Sequence, residues 1–412
     1  MPKFSKILLL VASVALVLTV FLGVDSNFVS AASNGQDGAY RQINVYTEVL
    51  RHIQTDYVVD PNIPAVTSGA LRGLLESLDA DSSYLTPEEY KVYKTAQTSS
   101  GAGKAQVGIN VSKRYGYATV VSVDPGSPAD KANLADGDII EAIGSQDTRE
   151  MSLAMINLLL QGQPGSELTV SVVRPRKATP EKVTMTRMVE TIPPVAETMY
   201  ENSTILYLKP RVLDKEHVQQ IEAKLKGMQK AGNKKILLDL RDVAAGDMTE
   251  ATRMANFFLS SGTIATLEGQ KFPKQTFAAE PSKAINATAP LVVLTNRGTA
   301  GPAELVAAAI LDNKRGELVG ERTFGEGTQQ KTFDLPDGGA LILSVAKYAT
   351  PSGKKLEDEG VTPGTLVASS ADDGGLDDEN ADAAAAAPVT KPAVSVDEQL
   401  TKALDMLKNK AA

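Results

Sequence analysis

The sequence predicts a multidomain α/β protein whose largest part is built on a mainly parallel sheet. Three observations carry this. Beyond Pro193-Pro194, short apolar strands alternate with amphipathic helical patterns, the texture of a parallel sheet covered by helices. Before them, between Val107 and Arg174, short β-branched runs are separated by turn dipeptides, which reads as a smaller β-rich module. A chain of 412 residues, at roughly 150 residues per domain, has room for about two to three domains.

The elements follow in order. Lys3 and Lys6 precede a weakly polar run from Ile7 to Val24, and Val29-Ser30-Ala31 offers a small-residue cleavage pattern. Residues 1–31 are therefore expected to be a signal peptide or an uncleaved membrane anchor. The expected destination is the periplasm or the outer face of a bacterial inner membrane. Ile43, Tyr46, Leu50, Ile53 and Tyr57 recur at helical spacing, with His52 beside the stripe as a surface residue. Leu71, Leu74, Leu75 and Leu78 form a second stripe, so 38–98 is expected to be a helical N-terminal domain, followed by the linker Ser99 to Gly103.

The module at 104–176 contains expected strands at 118–123 and 168–173, turns at Pro125-Gly126 and Asp136-Gly137, and a helix at 151–160 closed by Gly162. The core at 190–366 alternates strands at 206–208, 236–240, 291–295 and 318–319 with helices at 215–231, 249–260 and 302–313. His217 is expected on the surface of the first of these helices. Residues 367–396 are rich in Asp, Ala and Pro and are expected to be a disordered linker. Leu400, Leu404 and Leu407 mark a short helix within 397–412.

Composition excludes several chemistries. There is no cysteine, which removes disulfide scaffolds, thiol nucleophiles and thiolate metal sites, and His52 and His217 are the whole histidine complement. Of the net charge of −8, six acids with no base between Thr365 and Thr390 supply −6, so the rest of the chain is nearly neutral. That is no footprint for nucleic acid. No Gly-rich phosphate loop or metal-ligand cluster stands out, so no cofactor and no metal are expected.

Residues 107–174 resemble a PDZ domain through Gly126-Ser127-Pro128-Ala129, Asp136-Gly137-Asp138 and Pro164-Gly165. Residues 236–363 resemble the carboxyl-terminal processing peptidases, the tail-specific serine proteases. The landmarks are Leu238-Asp239-Leu240-Arg241, Thr323-Phe324-Gly325, and Tyr348 with Thr350-Pro351-Ser352-Gly353; Leu78-Asp79 with Ser82 and Tyr84 belong to the same set. The resemblance implies polypeptide cleavage by a Ser-Lys dyad, in which a neutral lysine takes the serine proton. The serine position falls on Gly301, in Gly298-Thr299-Ala300-Gly301-Pro302-Ala303-Glu304, and the lysine position on Glu326, in Thr323-Phe324-Gly325-Glu326-Gly327. Asp312 and Gln330 are retained. The oxyanion turn reads Asp242-Val243-Ala244-Ala245-Gly246, with Ala245 and Gly246 where the family shows two glycines.

Scaffold kept and reactive side chains absent is the pattern of a pseudoenzyme. Gly301-Pro302 also reads as a plain helix start. The alternative nucleophile is Thr299, with Lys331 as the nearest lysine. Glu326 alone, at an unperturbed pKa of about 4.3, is a poor base. By the same resemblance, Val107-Gly108-Ile109 is the loop that receives a peptide's C-terminal carboxylate, and the helix at 151–160 lines the side-chain pocket. Gln161 stands where active relatives often carry an arginine that couples ligand binding to the dyad. A PDZ fold serving as spacer or lid is the competing use.

Two functional classes follow. One is an exported, non-cleaving binder of peptide or protein C-termini, an adaptor or a regulator of an active peptidase paralogue. The other is a working envelope endopeptidase. Neither involves nucleic acid, and the membrane enters only through the N-terminal segment.

Overall fold

The computed structural model describes residues 40–98, 105–369 and 396–410, apart from 115, 175–178, 190, 229 and 358. The expected signal segment at 1–31 and most of the acidic linker lie outside the described residues. The chain divides into two compact units, Met1–Ala70 and Leu71–Ala412. The boundary between them falls inside the helix Ile63–Glu76.

In the first unit, α1 spans residues 40–56. Ile43 and Tyr46 of its apolar stripe are exposed. His52 is exposed too, with Nδ1 2.5 Å from Asp56 Oδ2 and Nε2 3.2 Å from Glu48. The second helix, α2, is Ile63–Glu76, and α3 is Pro87–Thr98.

The PDZ-like module is an antiparallel sheet ordered Ile109–Arg114, Tyr117–Val123, Ile139–Ile143, Glu167–Val173, Glu181–Thr186. Leu168, Val170 and Val172 point inward by simple alternation. The short α4, Pro128–Lys131, starts on Ser127, whose hydroxyl accepts from Asp130 N, with proline in its first turn. Helix α5, Leu153–Leu160, is capped in the same way by Ser152. The two strands that lead into and out of the module, Ala105–Gln106 and Met188–Val189, pair with each other.

The core sheet runs Ala196–Tyr200, Ile205–Lys209, Lys235–Asp239, Leu291–Thr295, Glu317–Gly320, Thr365–Leu366, parallel after the first pair. Helices α6 (Lys215–Gly227), α7 (Met248–Phe258) and α8 (Pro302–Asp312) bury apolar residues in one core with Leu238, Val293 and Leu318. His217 is buried within α6, its Nδ1 2.7 Å from Asp214 Oδ1 and its Nε2 3.1 Å from Pro193 O, not on the surface as expected. The terminal helix α9, Glu398–Lys408, docks through Ala403 and Leu407 against Ile205, Leu237 and Val292. Polar contacts pin it at both ends. Arg241 bridges the buried Asp239 to Asp397, and Lys235 donates to the carbonyls of Leu407 and Lys410.

A second, antiparallel sheet escaped the sequence reading. Its long strand, Ala340–Ala349, pairs with Ser83–Leu85, Thr263–Glu268 and Thr328–Asp334, and Gln275–Ala278 extends it. Through this sheet the segment after Asp79 becomes part of the larger domain's framework.

Candidate active site

The strand Leu291–Thr295 ends in a turn that delivers Gly301 to the start of α8. Gly301 has φ +52° and ψ −112°, a conformation suited to glycine. A Cβ placed there would lie 3.7 Å from both Cδ and Oε2 of Glu326 and 3.9 Å from the carbonyl oxygen of Ala244. The positions matched to nucleophile, base and oxyanion turn therefore converge on one point.

Glu304 organises that convergence, a role the sequence reading missed. Its fully buried carboxyl accepts from Gly301 N at 2.9 Å, Gly325 N at 2.8 Å, Glu326 N at 2.7 Å and the Thr323 hydroxyl. One side chain in the first turn of α8 thus fixes both the helix start and the loop carrying Glu326. Burial pushes its pKa up to about 7, against the lowering effect of those four donors. The available sequence signal was the capping-box spacing, a glutamate three residues after the helix start.

Glu326 departs from the expected ordinary carboxylate. Burial, and then the charges of Asp81, Glu304 and Glu357, push its pKa up to about 8. Water still reaches it through the cleft. No described residue donates a hydrogen bond to its carboxyl oxygens, whereas Glu357 accepts from Gly327 N and Asp81 from the Thr328 hydroxyl.

Thr299 is not placed as a displaced nucleophile. It is fully buried, its hydroxyl donates to Leu240 O at 2.9 Å, and Asn296 N donates to it at 3.0 Å, so it braces the turn. Lys331 Nζ lies 5.1 Å from the Phe333 ring centre. Gln330 is exposed and donates to Asp81 O at 2.7 Å. In the oxyanion turn, Ala245 O accepts from Leu213 N, and a Cβ on Gly246 would meet Leu213 O at 2.6 Å, so the backbone approach there requires glycine. Asp242 holds the turn to Asn296, accepting from its amide nitrogen at 2.6 Å.

A cleft of about 300 Å³ joins the Val107-Gly108-Ile109 loop to this centre; Val107, Ile109, Gln161, Ala244 and Glu326 all line it. A neighbouring cleft of about 570 Å³ is shared by α3, α5, Glu326 and the start of the strand Thr328–Asp334. Gln161, at the end of α5, borders both. Arg187, another residue the sequence reading passed over, donates to the carbonyls of Leu159 at 2.7 Å and Leu160 at 3.2 Å, and closes the C-terminal end of α5. Among the described residues no cluster of three or more His, Asp or Glu is arranged to hold a metal.

The fold and the arrangement around Gly301 are those of the PDZ-bearing, tail-specific peptidase family. Residues 204–367 match the model of peptidase family S41, and 119–174 match that of the PDZ domain. A carboxyl-terminal-processing protease of Picosynechococcus is 32% identical over 301 residues, covering 73% of this chain and 72% of that protein. The carboxy-terminal processing protease CtpA of Bacillus subtilis is 29% identical over 88% of this chain and 76% of its own length. Among solved structures, the photosystem II D1 C-terminal processing protease superposes with a TM-score of 0.66 at 26% identity, over 78% of this chain and 86% of that one. The chain belongs to the carboxyl-terminal processing protease family.

Proposed function

We propose that this member of the family binds peptide and protein C-termini through its PDZ domain without cleaving them, as an adaptor or a regulator of an active peptidase. The observation that carries the reading is the meeting of Gly301 and Glu326. The positions for nucleophile and base adjoin, yet they supply neither a hydroxyl nor an amine. The proposed location, the periplasm or the outer face of an inner membrane, rests on Lys3, Lys6 and the apolar run after them.

The test incubates the purified protein with an unfolded substrate ending in an apolar C-terminus, beside an active family member. Expected are no cleavage, no labelling by serine-directed covalent probes, and micromolar binding of the free-acid C-terminus, on the order of −8 kcal/mol. Amidating that terminus should weaken binding. Cleavage would overturn the reading. If it vanished in Glu326→Gln, the raised carboxyl would be a water-activating base; if it vanished in Thr299→Ala with folding intact, the threonine would be the nucleophile. The double variant Gly301→Ser, Glu326→Lys should restore little activity by itself. Adding Ala244→Pro and Ala245→Gly should raise it, since loss of one oxyanion donor typically costs about a hundred- to a thousandfold.

A further inference from the structure

Pro193 and Pro194 lie in the linker that carries the chain from the strand Met188–Val189, at the exit of the PDZ-like module, into Ala196–Tyr200, the first strand of the core sheet. Neither proline has an N–H, so this stretch is held only through its carbonyl oxygens or through its neighbours. One face of α6 does both. His217 Nε2 lies 3.1 Å from Pro193 O, and three residues on, Gln220 Oε1 accepts from Val195 N at 2.8 Å. The other ring nitrogen, Nδ1, lies 2.7 Å from Asp214 Oδ1, which also accepts from His217 N at 2.8 Å and so caps the helix.

Both groups that face the buried ring are acceptors. A carbonyl oxygen cannot donate, and Asp214 is a carboxylate: burial works against its charge, but the backbone N–H and the ring of His217 hold it below the usual aspartate range. A neutral imidazole has one N–H and would turn a lone pair on one of the two oxygens. Only the imidazolium has a donor for each. The other charges around α6 are engaged elsewhere or face water. Lys215 and Glu216 are exposed, and Lys224 pairs with Glu197 of the first core strand. Glu222 pairs with Lys226 and with Arg253 of α7, which also holds Glu250. The linker from Thr191 to Val195 brings no charge. Asp214 is the ring's ionic partner among the described residues.

We propose that His217 is a pH-sensitive clasp between the linker and the core: with both ring nitrogens protonated it holds Pro193, and loss of one proton frees the linker. The proton lost is the one on Nε2, since Nδ1–H is held by a carboxylate and Nε2–H by a neutral carbonyl. It passes to water and leaves a neutral ring whose Nε2 lone pair opposes Pro193 O. Pro193 lines a cleft of about 320 Å³ together with Ser127, Met188 and Val189, so freeing the linker loosens the seam between the PDZ-like module and the core. The clasp is closed at low pH and open at high pH. It works in the same way whether or not the Val107-Gly108-Ile109 loop receives a C-terminus.

The experiment uses the full-length protein carrying isotope-labelled histidine, with His52→Gln to remove the other imidazole, an exposed one. Long-range proton–nitrogen spectra from about pH 5.5 to about pH 8.5 read the protonation of each ring nitrogen. Hydrogen exchange at the Val195 amide, corrected for the intrinsic effect of pH, reads the linker. Expected are a doubly protonated His217 at the acid end, loss of the proton from Nε2 as pH rises, and about a tenfold loss of Val195 protection over the same interval. In His217→Gln, whose amide donates at every pH, protection should change by no more than about twofold. A singly protonated ring at the acid end overturns the clasp, and so does a ring that keeps both protons to the basic end. Titration of the ring with constant Val195 protection overturns it as well, as does an equal loss of protection in His217→Gln. Should that variant fold poorly, the spectra and exchange of the His52→Gln protein still decide.

Discussion

Gly108 in the PDZ domain and Gly301 in the peptidase core do comparable jobs. Each bends the backbone through positive φ at the loop that would meet a ligand, +77° at Gly108 and +52° at Gly301. Their surroundings differ. A Cβ on Gly108 would lie 2.2 Å from Ser127 Cβ, so the loop can pass there only as glycine. A Cβ on Gly301 would find its nearest neighbours at 3.7 Å, an ordinary contact. Glycine in the first place keeps a binding loop in shape; in the second it leaves room where a reactive side chain would fit. On the proposed reading, the binding half keeps the loop that would receive a peptide, and the catalytic half keeps its backbone at 301 and 326 without a hydroxyl or an amine there.

Alanine at each position tests that contrast. Gly108→Ala must push Ser127 aside as well as strain the backbone, and is expected to cost about 3–5 kcal/mol in urea denaturation, with peptide binding lost. Gly301→Ala meets only the backbone strain and is expected to cost about 1–2 kcal/mol. Equal costs would break the comparison, since Gly301 would then be as much a packing requirement as Gly108.

The two halves also have different organisers. Glu304 ties α8 to the Glu326 loop from a fully buried position, whereas Arg187 closes α5 of the PDZ domain from a partly buried one. Glu304→Ala would leave the N–H groups of Gly301, Gly325 and Glu326 without their acceptor, a loss of about 3 kcal/mol. Glu304→Gln should lose less, because its amide oxygen still accepts. Arg187→Ala should cost about 1–2 kcal/mol, since water can replace part of what it satisfies. The readout is denaturant unfolding of all three variants. A larger loss at Arg187 than at Glu304 would place the critical support in the PDZ domain.

Much of this was legible in the sequence, for physical reasons. The parallel strands are continuous apolar runs such as Leu291–Thr295, buried on both faces, and such runs are hard to mistake. The antiparallel sheet was not seen because Thr328–Asp334 is almost wholly exposed and polar, with pairing supplied by the distant Ala340–Ala349. The positions 301 and 326 were found from local sequence stretches. Their contact, and the fourfold acceptance by Glu304, depend on how α8 meets a loop more than twenty residues later. Burial of His217 was hidden for a similar reason: its cover includes the Pro193 carbonyl, twenty-four residues upstream. A helical wheel cannot register a neighbour of that kind.

The smallest expected effect concerns charge in the catalytic half. Glu326 is held at about 8 and Glu304 at about 7, both above the ordinary glutamate value of about 4.3 that applies in the unfolded chain. Below about pH 4 both carboxyls are protonated in both states and neither contributes. As pH rises, the unfolded chain ionises first, the folded chain still binds protons, and stability is lost progressively until the folded groups ionise near 7 and 8. Above that the loss is constant. Glu326→Gln keeps the shape and removes one of the two titrations. Its melting temperature should therefore match wild type near pH 4, pull ahead between pH 5 and 8, and hold a steady lead beyond. Water in the cleft screens Glu326, so that lead should be only a few degrees. Glu304, fully buried, remains in both proteins and keeps a residual slope of the same sign. Parallel curves across the whole range would mean that Glu326 titrates as an ordinary solvated carboxylate. The folded protein would then hold no excess proton at Glu326, and the slope that remains would belong to Glu304.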